Sequence, residues 1–566
     1  MKLKTLMLGA VASMAFAPAA FAERASDGDV KIIYWQAPSI LNPFLSGGTK
    51  DVESSSMIIE PLARYNEKGE LVPWLVEEIP TVANGGVSAD LTSITWKIAP
   101  GILWSDGSAF TSADVKFTYE YCTHPEGGCA QLTKFDGVVS VETPDDLTVV
   151  VTFDGPTPNP YGPFVGGESP ILQAAQFANC LGAAAPSCTE QNFNPIGTGP
   201  FVVTEFKPND VITMVANTNY RDPAKPAFAS VTFKGGGDAA AAGTAVMETG
   251  EFDYAWNLQL APDVIAKMQQ GGKGTPIAGF GPLMERIMLN QTWADPSLPE
   301  GERSTAKHPH PFLREPAVYK AMSMAIDRPL LVEIGYGQAG NIGCAWVPAP
   351  EAFAPVMENC DTQDIEGAKA MLDAAGFVDS DGDGVREANG VKMSILYQTS
   401  TNAVRQDFQA LIKDWWEQIG IEVELRNIDA SVFFGGDPGS PDTFQKFYAD
   451  VEMYANTFNG TDPQAYLGNG LCDKAPRPET QWQGENISRF CMPEYDALYE
   501  ELTKTADIAE RQRIGRELSA MMVDNGGMIP LVHRGRLSAH ANSLGGVVLN
   551  VWDSELWNVA DWYRID

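Results

Sequence analysis

Hydrophobic and polar positions divide the chain into segments of two kinds. Ser93-Ile94-Thr95-Trp96-Lys97-Ile98 alternates with period two, as do residues 146–153 and Ile421-Glu422-Val423-Glu424-Leu425. Side chains of a strand point to opposite faces in turn, so these segments are predicted to be half-buried strands. Residues 31–35 and 528–532 are short apolar runs and read as buried strands. By contrast, Val404, Phe408, Leu411, Trp415 and Ile419 recur at steps of three and four, which places them on one face of a helix. Gly420 is the expected stop signal. Thr111, with Asp114 three positions on, predicts a capped helix start.

Residues 230–256 combine both periods. Val231-Thr232-Phe233-Lys234 is a predicted strand, Gly235-Gly236-Gly237 a turn and Asp238 a helix cap before an alanine-rich helix. Glu251-Phe252-Asp253-Tyr254-Ala255-Trp256 then returns as a strand. The glycine run lacks both the Lys-Ser/Thr ending of a phosphate loop and the dinucleotide spacing, so it reads as a plain turn. Helices are also expected around 494–506 and 508–523. Strands and helices alternate along the whole chain, which predicts an α/β fold.

The first residues stand apart. Lys2 and Lys4 precede an apolar run over 6–17, and Ala20-Phe21-Ala22 has the small-x-small pattern of a signal-peptidase site. This predicts a signal peptide over 1–22, an exported chain starting at Glu23, and a periplasmic location. No cysteine follows the cleavage point, and no later run reaches the ~20 apolar residues of a membrane span. A chain of 566 residues is longer than one core normally supports, so two or three domains are expected. The net charge of −34 disfavours phosphate backbones and anionic lipid surfaces, so nucleic acid is not an expected partner. The plainer meaning of the acidity is solubility, with no bearing on ligand charge.

Eight cysteines in an exported chain point to disulfides. They lie as four neighbouring pairs: Cys122 and Cys129, Cys180 and Cys188, Cys344 and Cys360, Cys472 and Cys491. Zinc ligation is the rival, because Cys122-Thr123-His124 precedes Cys129, but zinc favours two tight ligand pairs and only this loose cluster exists. Disulfides are therefore expected, with their connectivity open.

Catalytic machinery is sparse. The five histidines lack the company of a nucleophile or zinc site, and His308-Pro309-His310 reads as a solvated loop. Neither a Gly-x-Ser-x-Gly elbow nor a His-Glu-x-x-His helix is present. Acidic residues are too many for any spacing rule to single out a catalytic pair, which leaves a secreted hydrolase as the rival class without a supporting motif. Asp379, Asp381 and Asp383 open like a calcium loop, but Gly390 stands where the bidentate Glu belongs, and only Glu387 offers a substitute. An ordinary Asp/Gly turn is the preferred reading, with no resident metal or cofactor expected. Aromatic residues at strand ends are more informative, since small-ligand clefts combine aromatic faces with a few polar groups. Tyr34-Trp35-Gln36, Tyr254-Ala255-Trp256-Asn257 and Tyr454-Ala455-Asn456-Thr457-Phe458-Asn459 have this composition, against the alternative that their rings are core.

Several ordered segments resemble the family 5 extracellular solute-binding proteins, which serve ABC importers of peptides, nickel and opines. They are Trp96-Lys97-Ile98-Ala99-Pro100-Gly101-Ile102-Leu103-Trp104-Ser105-Asp106-Gly107, continuing to Val115; Asn194-Pro195-Ile196-Gly197-Thr198-Gly199-Pro200-Phe201; and Ala321-Met322-Ser323-Met324-Ala325-Ile326-Asp327-Arg328. Ile419-Gly420-Ile421-Glu422-Val423 and Glu494-Tyr495-Asp496-Ala497-Leu498 follow in order. The resemblance implies a two-lobed periplasmic-binding-protein fold with an extra third domain and mixed sheets. Lobe I would take 23–58, 194–280 and 525–566, the extra domain 59–193, and lobe II 281–524. It also implies a monomeric, non-enzymatic receptor that passes a peptide-like ligand to membrane permease subunits. Trp35, Gln36, Trp256 and Asn257 are expected to line lobe I, and Asn456, Phe458 and Asn459 to line lobe II. Peptide-binding members hold the ligand's amino terminus with an Asp; counting back from Pro463, that position is Asn459. An amide supplies no countercharge, which shifts weight toward ligands without a free amine, such as modified peptides, opines or oligosaccharides.

Overall fold

The computed structural model describes residues 24–357, 360–388 and 390–565. The expected signal peptide and the start at Glu23 lie outside them. Two large mixed sheets organise the chain. From edge to edge, the first runs Gly274–Gly279, Arg536–Ala541, Tyr254–Trp256, Asp29–Tyr34, Ser230–Gly235, Val211–Ala216, Phe201–Lys207. The second runs Gly340–Ile342, Met528–Arg534, Met284–Leu289, Val451–Asn456, Ser394–Ser400, Glu422–Ile428. Among the described residues, no helix is long and apolar enough to cross a membrane.

Local signals explain most elements. Asp238 accepts a hydrogen bond from Ala241 N (2.7 Å) and starts the helix Ala239–Met247, so the unit over 230–256 is a strand–helix–strand crossover. Its two strands flank Asp29–Tyr34, both parallel to it. Helix Ala403–Gln418 is capped by Asn402 and buries Val404, Phe408, Ile412, Trp415 and Trp416 against the second sheet. Gly420 ends it in the left-handed region at φ +85°, where a side chain would strain the backbone. The extra region forms a three-stranded antiparallel sheet ordered Ser93–Lys97, Thr148–Phe153, Val138–Asp145, packed by helix Ser112–Thr123. At that helix start Asp114 accepts from Thr111 N at 3.0 Å. This region shares one continuous apolar core with the first sheet, from Val30 and Phe233 through Trp96 and Trp104. The family-like segment at 194–201 is held by contact, since a β-carbon at Gly197 would lie 1.7 Å from the Ile58 carbonyl oxygen.

All four neighbouring cysteine pairs are disulfides: Cys122–Cys129, Cys180–Cys188, Cys344–Cys360 and Cys472–Cys491. The solvated-loop reading of His308-Pro309-His310 fails for its second histidine. His310 is buried, with Nε2 3.0 Å from Asp450 Oδ1 and Nδ1 accepting from Leu313 N, so it is a satisfied core residue.

Among the described strands, the chain passes between the two large sheets twice. The first passage is Phe280-Gly281-Pro282-Leu283, between Gly274–Gly279 and Met284–Leu289; the second is Gly535 alone, between Met528–Arg534 and Arg536–Ala541. Both lie side by side, because Gly279 pairs with Arg536 in one sheet and Met284 with His533 in the other. His533 Nε2 sits 2.8 Å from the Gly281 carbonyl oxygen and ties the passages together. The return to the first sheet therefore comes at Gly535 rather than at 525, as the antiparallel ladder with Met284–Leu289 carries the chain as far as His533.

A buried charge cluster backs this linkage. Glu285 is fully buried and accepts from Arg405 Nε (2.7 Å) and Tyr336 Oη (3.1 Å), with Arg534 Nη1 at 3.9 Å. Burial alone would raise its pKa, but the two guanidinium groups outweigh it and hold the carboxyl below the ordinary glutamate value of 4.5. A carboxylate depressed in the folded state stabilises above its unfolded pKa and loses that contribution as pH falls toward the folded value. Glu285→Ala is therefore expected to cost about 3–5 kcal/mol at neutral pH, because it strands two buried cations. Urea unfolding from pH 7 to 3 should show wild type losing part of this advantage below pH 4.5, with the variant lacking that component. Trp416 is fully buried and donates from Nε1 to the Met322 carbonyl (2.9 Å), so Trp416→Ala should lower unfolding free energy by about 3–5 kcal/mol in the same assay.

Candidate functional site

Between the two sheets the walls face each other across two adjoining chambers. The first is a small cavity of about 50 Å³. Gln36, Lys50, Trp256, Asn257 and Arg536 line it from the first-sheet side; Arg405, Tyr454, Asn456 and Thr457 line it from the other. The second is a cavity of about 40 Å³ and adds Glu53, Lys134, Glu168, Phe458, Asn459 and Glu485. Gly47, Thr49, Asn456, Thr457 and Arg536 border both, so the chambers form one cleft.

The residues named from sequence fall into this cleft with one exception. Gln36, Trp256, Asn257 and Asn456 border the first chamber, and Asn456, Phe458 and Asn459 the second. Trp35 does not border either. Its indole donates to the Asn257 carbonyl (2.8 Å), and its ring joins the apolar cluster that runs between the lobes and borders a separate groove with Asp238 and Asn402. Both residues lie in the bend that follows the strand Asp29–Tyr34, where the chain turns Gln36 to the chamber and Trp35 to the apolar cluster. Trp256 stacks on Tyr34 with centroids 4.5 Å apart and planes 6° from parallel, so its position is preset. Asn257 takes positive φ (54°) at the strand end, and its side-chain oxygen accepts from the Arg534 guanidinium. Phe458 packs on Tyr466 with centroids 5.0 Å apart. Asn459, with its amide oxygen turned toward the extra region, accepts from the backbone N–H groups of Gly167 (3.2 Å) and Glu168 (3.3 Å).

Charged residues of the cleft were not singled out by sequence reasoning. Lys50 is held by Asp51 (2.8 Å), Arg405 by Glu285 (2.7 Å), Arg536 by Glu53 (3.1 Å) and Lys134 by Glu168 (2.6 Å). The one available signal was charge inside otherwise apolar strands: Glu285-Arg286 within Met284–Leu289, and Arg534 and Arg536 on either side of Gly535. Buried groups without a protein partner also border the cleft. They include the Thr457 hydroxyl (6% exposed), the Tyr454 hydroxyl (2% exposed) and Glu485 Oε1. Such groups lose hydration without compensation, so they mark places where a solute can be bonded.

Away from the cleft, Asp379, Asp381, Asp383 and Glu387 present oxygens within 4.8 Å of one another on an exposed loop. Asp379 accepts from Gly382 N (2.6 Å) and Gly384 N (2.8 Å), and Lys392 pairs with Asp383. This is an Asp/Gly turn with its own countercharge.

Comparison with known proteins agrees with this architecture. A family model described as "Bacterial extracellular solute-binding proteins, family 5 Middle" matches residues 70–475. The oligopeptide-binding protein AppA of Bacillus subtilis is 24% identical over 413 residues, covering 71% of this chain and 70% of AppA. Its structure in complex with a nonapeptide superposes with a TM-score of 0.81 at 20% identity, covering 96% of this chain and 100% of that one. The glutathione-binding protein GsiB of Escherichia coli O157:H7 is 22% identical over 539 residues, 95% of this chain and 94% of GsiB. NikZ of Campylobacter jejuni, solved with Ni(L-His), superposes with a TM-score of 0.77 at 19% identity, covering 95% and 99%. The fold is that of the two-lobed periplasmic binding proteins, and the chain belongs to the family 5 bacterial extracellular solute-binding proteins.

Proposed function

We propose that this chain is a periplasmic import receptor that encloses a peptide-like solute between its lobes and presents it to the permease of an ABC importer. The observation that carries the reading is the cleft itself, with the buried, unpartnered hydroxyl of Thr457 bordering both chambers and that of Tyr454 bordering the first. Peptides carry a donor and an acceptor at every residue, which such groups can meet. The oligopeptide and glutathione ligands named for AppA and GsiB support the same class. The leader-like N-terminus supports export, and both walls of the cleft come from one chain, so binding requires no second copy. Membership of a solute-binding family supports capture and release without bond-breaking.

Closure follows from the linkage. Two adjacent passages permit a rotation of the lobes, and a solute that touches both walls stabilises the closed arrangement over the open one. Thermal-shift measurements against peptide, opine and oligosaccharide libraries test this. A peptide present at a hundred times its dissociation constant should add about 2.7 kcal/mol of stability; a flat response to every peptide pool would refute the reading, and turnover of a bound compound would favour a hydrolase. Thr457→Val removes a hydroxyl that no protein atom bonds. It should leave the solute-free melting temperature unchanged or raised and weaken peptide affinity roughly 2- to 10-fold, measured by calorimetry.

A further inference from the structure

Resting on that reading, we propose that the second chamber is a cation subsite in which Glu485, supported by Glu168, receives the ammonium group of a ligand with a free amine. The charge lost where Asn459 replaces an acidic residue is thereby supplied from a different part of the chain.

Three observations carry the assignment. First, the chambers differ in charge. Lys50, Arg405, Arg534 and Arg536 face the first against a single carboxylate, Glu555. Glu53, Glu168 and Glu485 face the second against Lys134 and Arg536. Two of those three carboxylates already hold a cation, Glu53 on Arg536 and Glu168 on Lys134. Among the described residues, Glu485 has none within salt-bridge distance, and its Oε1 is buried with no hydrogen-bond donor. Second, that oxygen lies at the cleft between the lobes, since a β-carbon at Gly47, which borders both chambers, would approach it to 3.0 Å. Third, the Thr457 hydroxyl borders the same chamber, nine-tenths buried and unpartnered, and offers a neutral acceptor in the chamber that holds the carboxylate. An ammonium has three donors and needs acceptors from several directions.

The groups around Glu485 are consistent with this role. Burial and the neighbouring Glu168 push its carboxyl up to about 8, against the opposing effect of Arg286 and Lys134. Arg286 shares a small adjoining cavity with Glu485 but is engaged by the Tyr466 hydroxyl (3.2 Å) and the Tyr454 ring face (4.8 Å). An arriving cation therefore meets a carboxyl that is costly to ionise alone and cheap to ionise once paired. The anionic end of the same ligand would be directed toward Lys50, Arg405 and Arg534, which sets the orientation of a dipolar solute in the cleft.

The test uses the full mature chain and one randomised tripeptide library, prepared with free amino termini and again N-acetylated. Wild type is expected to bind the free-amine library and to discriminate against the acetylated one. Glu485→Gln should weaken free-amine binding at least about 30-fold, leave acetylated binding unchanged, and keep or raise the solute-free melting temperature. Glu485→Asp retains the charge and should retain part of the discrimination, which covers the case of a poorly folding amide variant. Discrimination that survives Glu485→Gln would overturn the subsite while leaving the receptor reading intact. A variant that loses both libraries equally, with a lowered melting temperature, would assign Glu485 a structural role and overturn the subsite. Failure of wild type to bind either library would overturn the receptor reading and the subsite with it.

Discussion

The constraint on which everything else depends is that, among the described strands, the chain passes between the two large sheets only where Phe280-Gly281-Pro282-Leu283 and Gly535 lie side by side. Two parallel tethers form an axis; three spaced apart would form a rigid block. The cleft lies between the sheets because these tethers gather all strand-to-strand passage at one edge. Gly535 has a physical reason to lack a side chain, since a β-carbon there would stand 3.2 Å from the Gly279 carbonyl oxygen of the neighbouring tether. Arg534 and Glu285, immediately beside the passages, place opposite charges where the lobes meet.

Buried ion pairs of this kind seldom contribute much net stability, because desolvation offsets their attraction. Their value here is positional. Glu285 fixes Arg405, Glu53 fixes Arg536, and Asp51 fixes Lys50, so three cations hold stable places on the chamber wall without being free to collapse onto one another. Thr457, Tyr454 and Glu485 are the complementary case, left without protein partners at the same cleft. A wall of satisfied charges with a few unsatisfied groups is chemically selective: the first set shapes the field and the second forms the bonds.

The fold was largely legible in the sequence because its elements obey local rules. The stripe through Val404, Phe408 and Trp415, the Asp238 cap after three glycines, and the alternation at 93–98 each produced the expected element. The site was legible only in part. Aromatic–amide pairs at strand ends pointed to Gln36, Trp256, Asn257, Asn456, Phe458 and Asn459, all of which border the cleft. Trp35 was misplaced because it lies in the bend after the strand Asp29–Tyr34, where its ring packs into the apolar cluster instead of the cleft. Glu485 was invisible, as its significance comes from having no partner, a property of three-dimensional neighbours and not of spacing. The return passage at Gly535 was missed although the glycine itself, flanked by Arg534 and Arg536, breaks the strand-like run over 528–541.

The central claim is that two lobes shut on a solute, and small-angle X-ray scattering reads that motion directly. Protein freed of bound solute by unfolding and refolding should scatter as a more extended particle, then contract when a tripeptide pool that binds by calorimetry is added. A scattering profile that stays the same with and without bound peptide would contradict the account, whatever affinity the peptide shows.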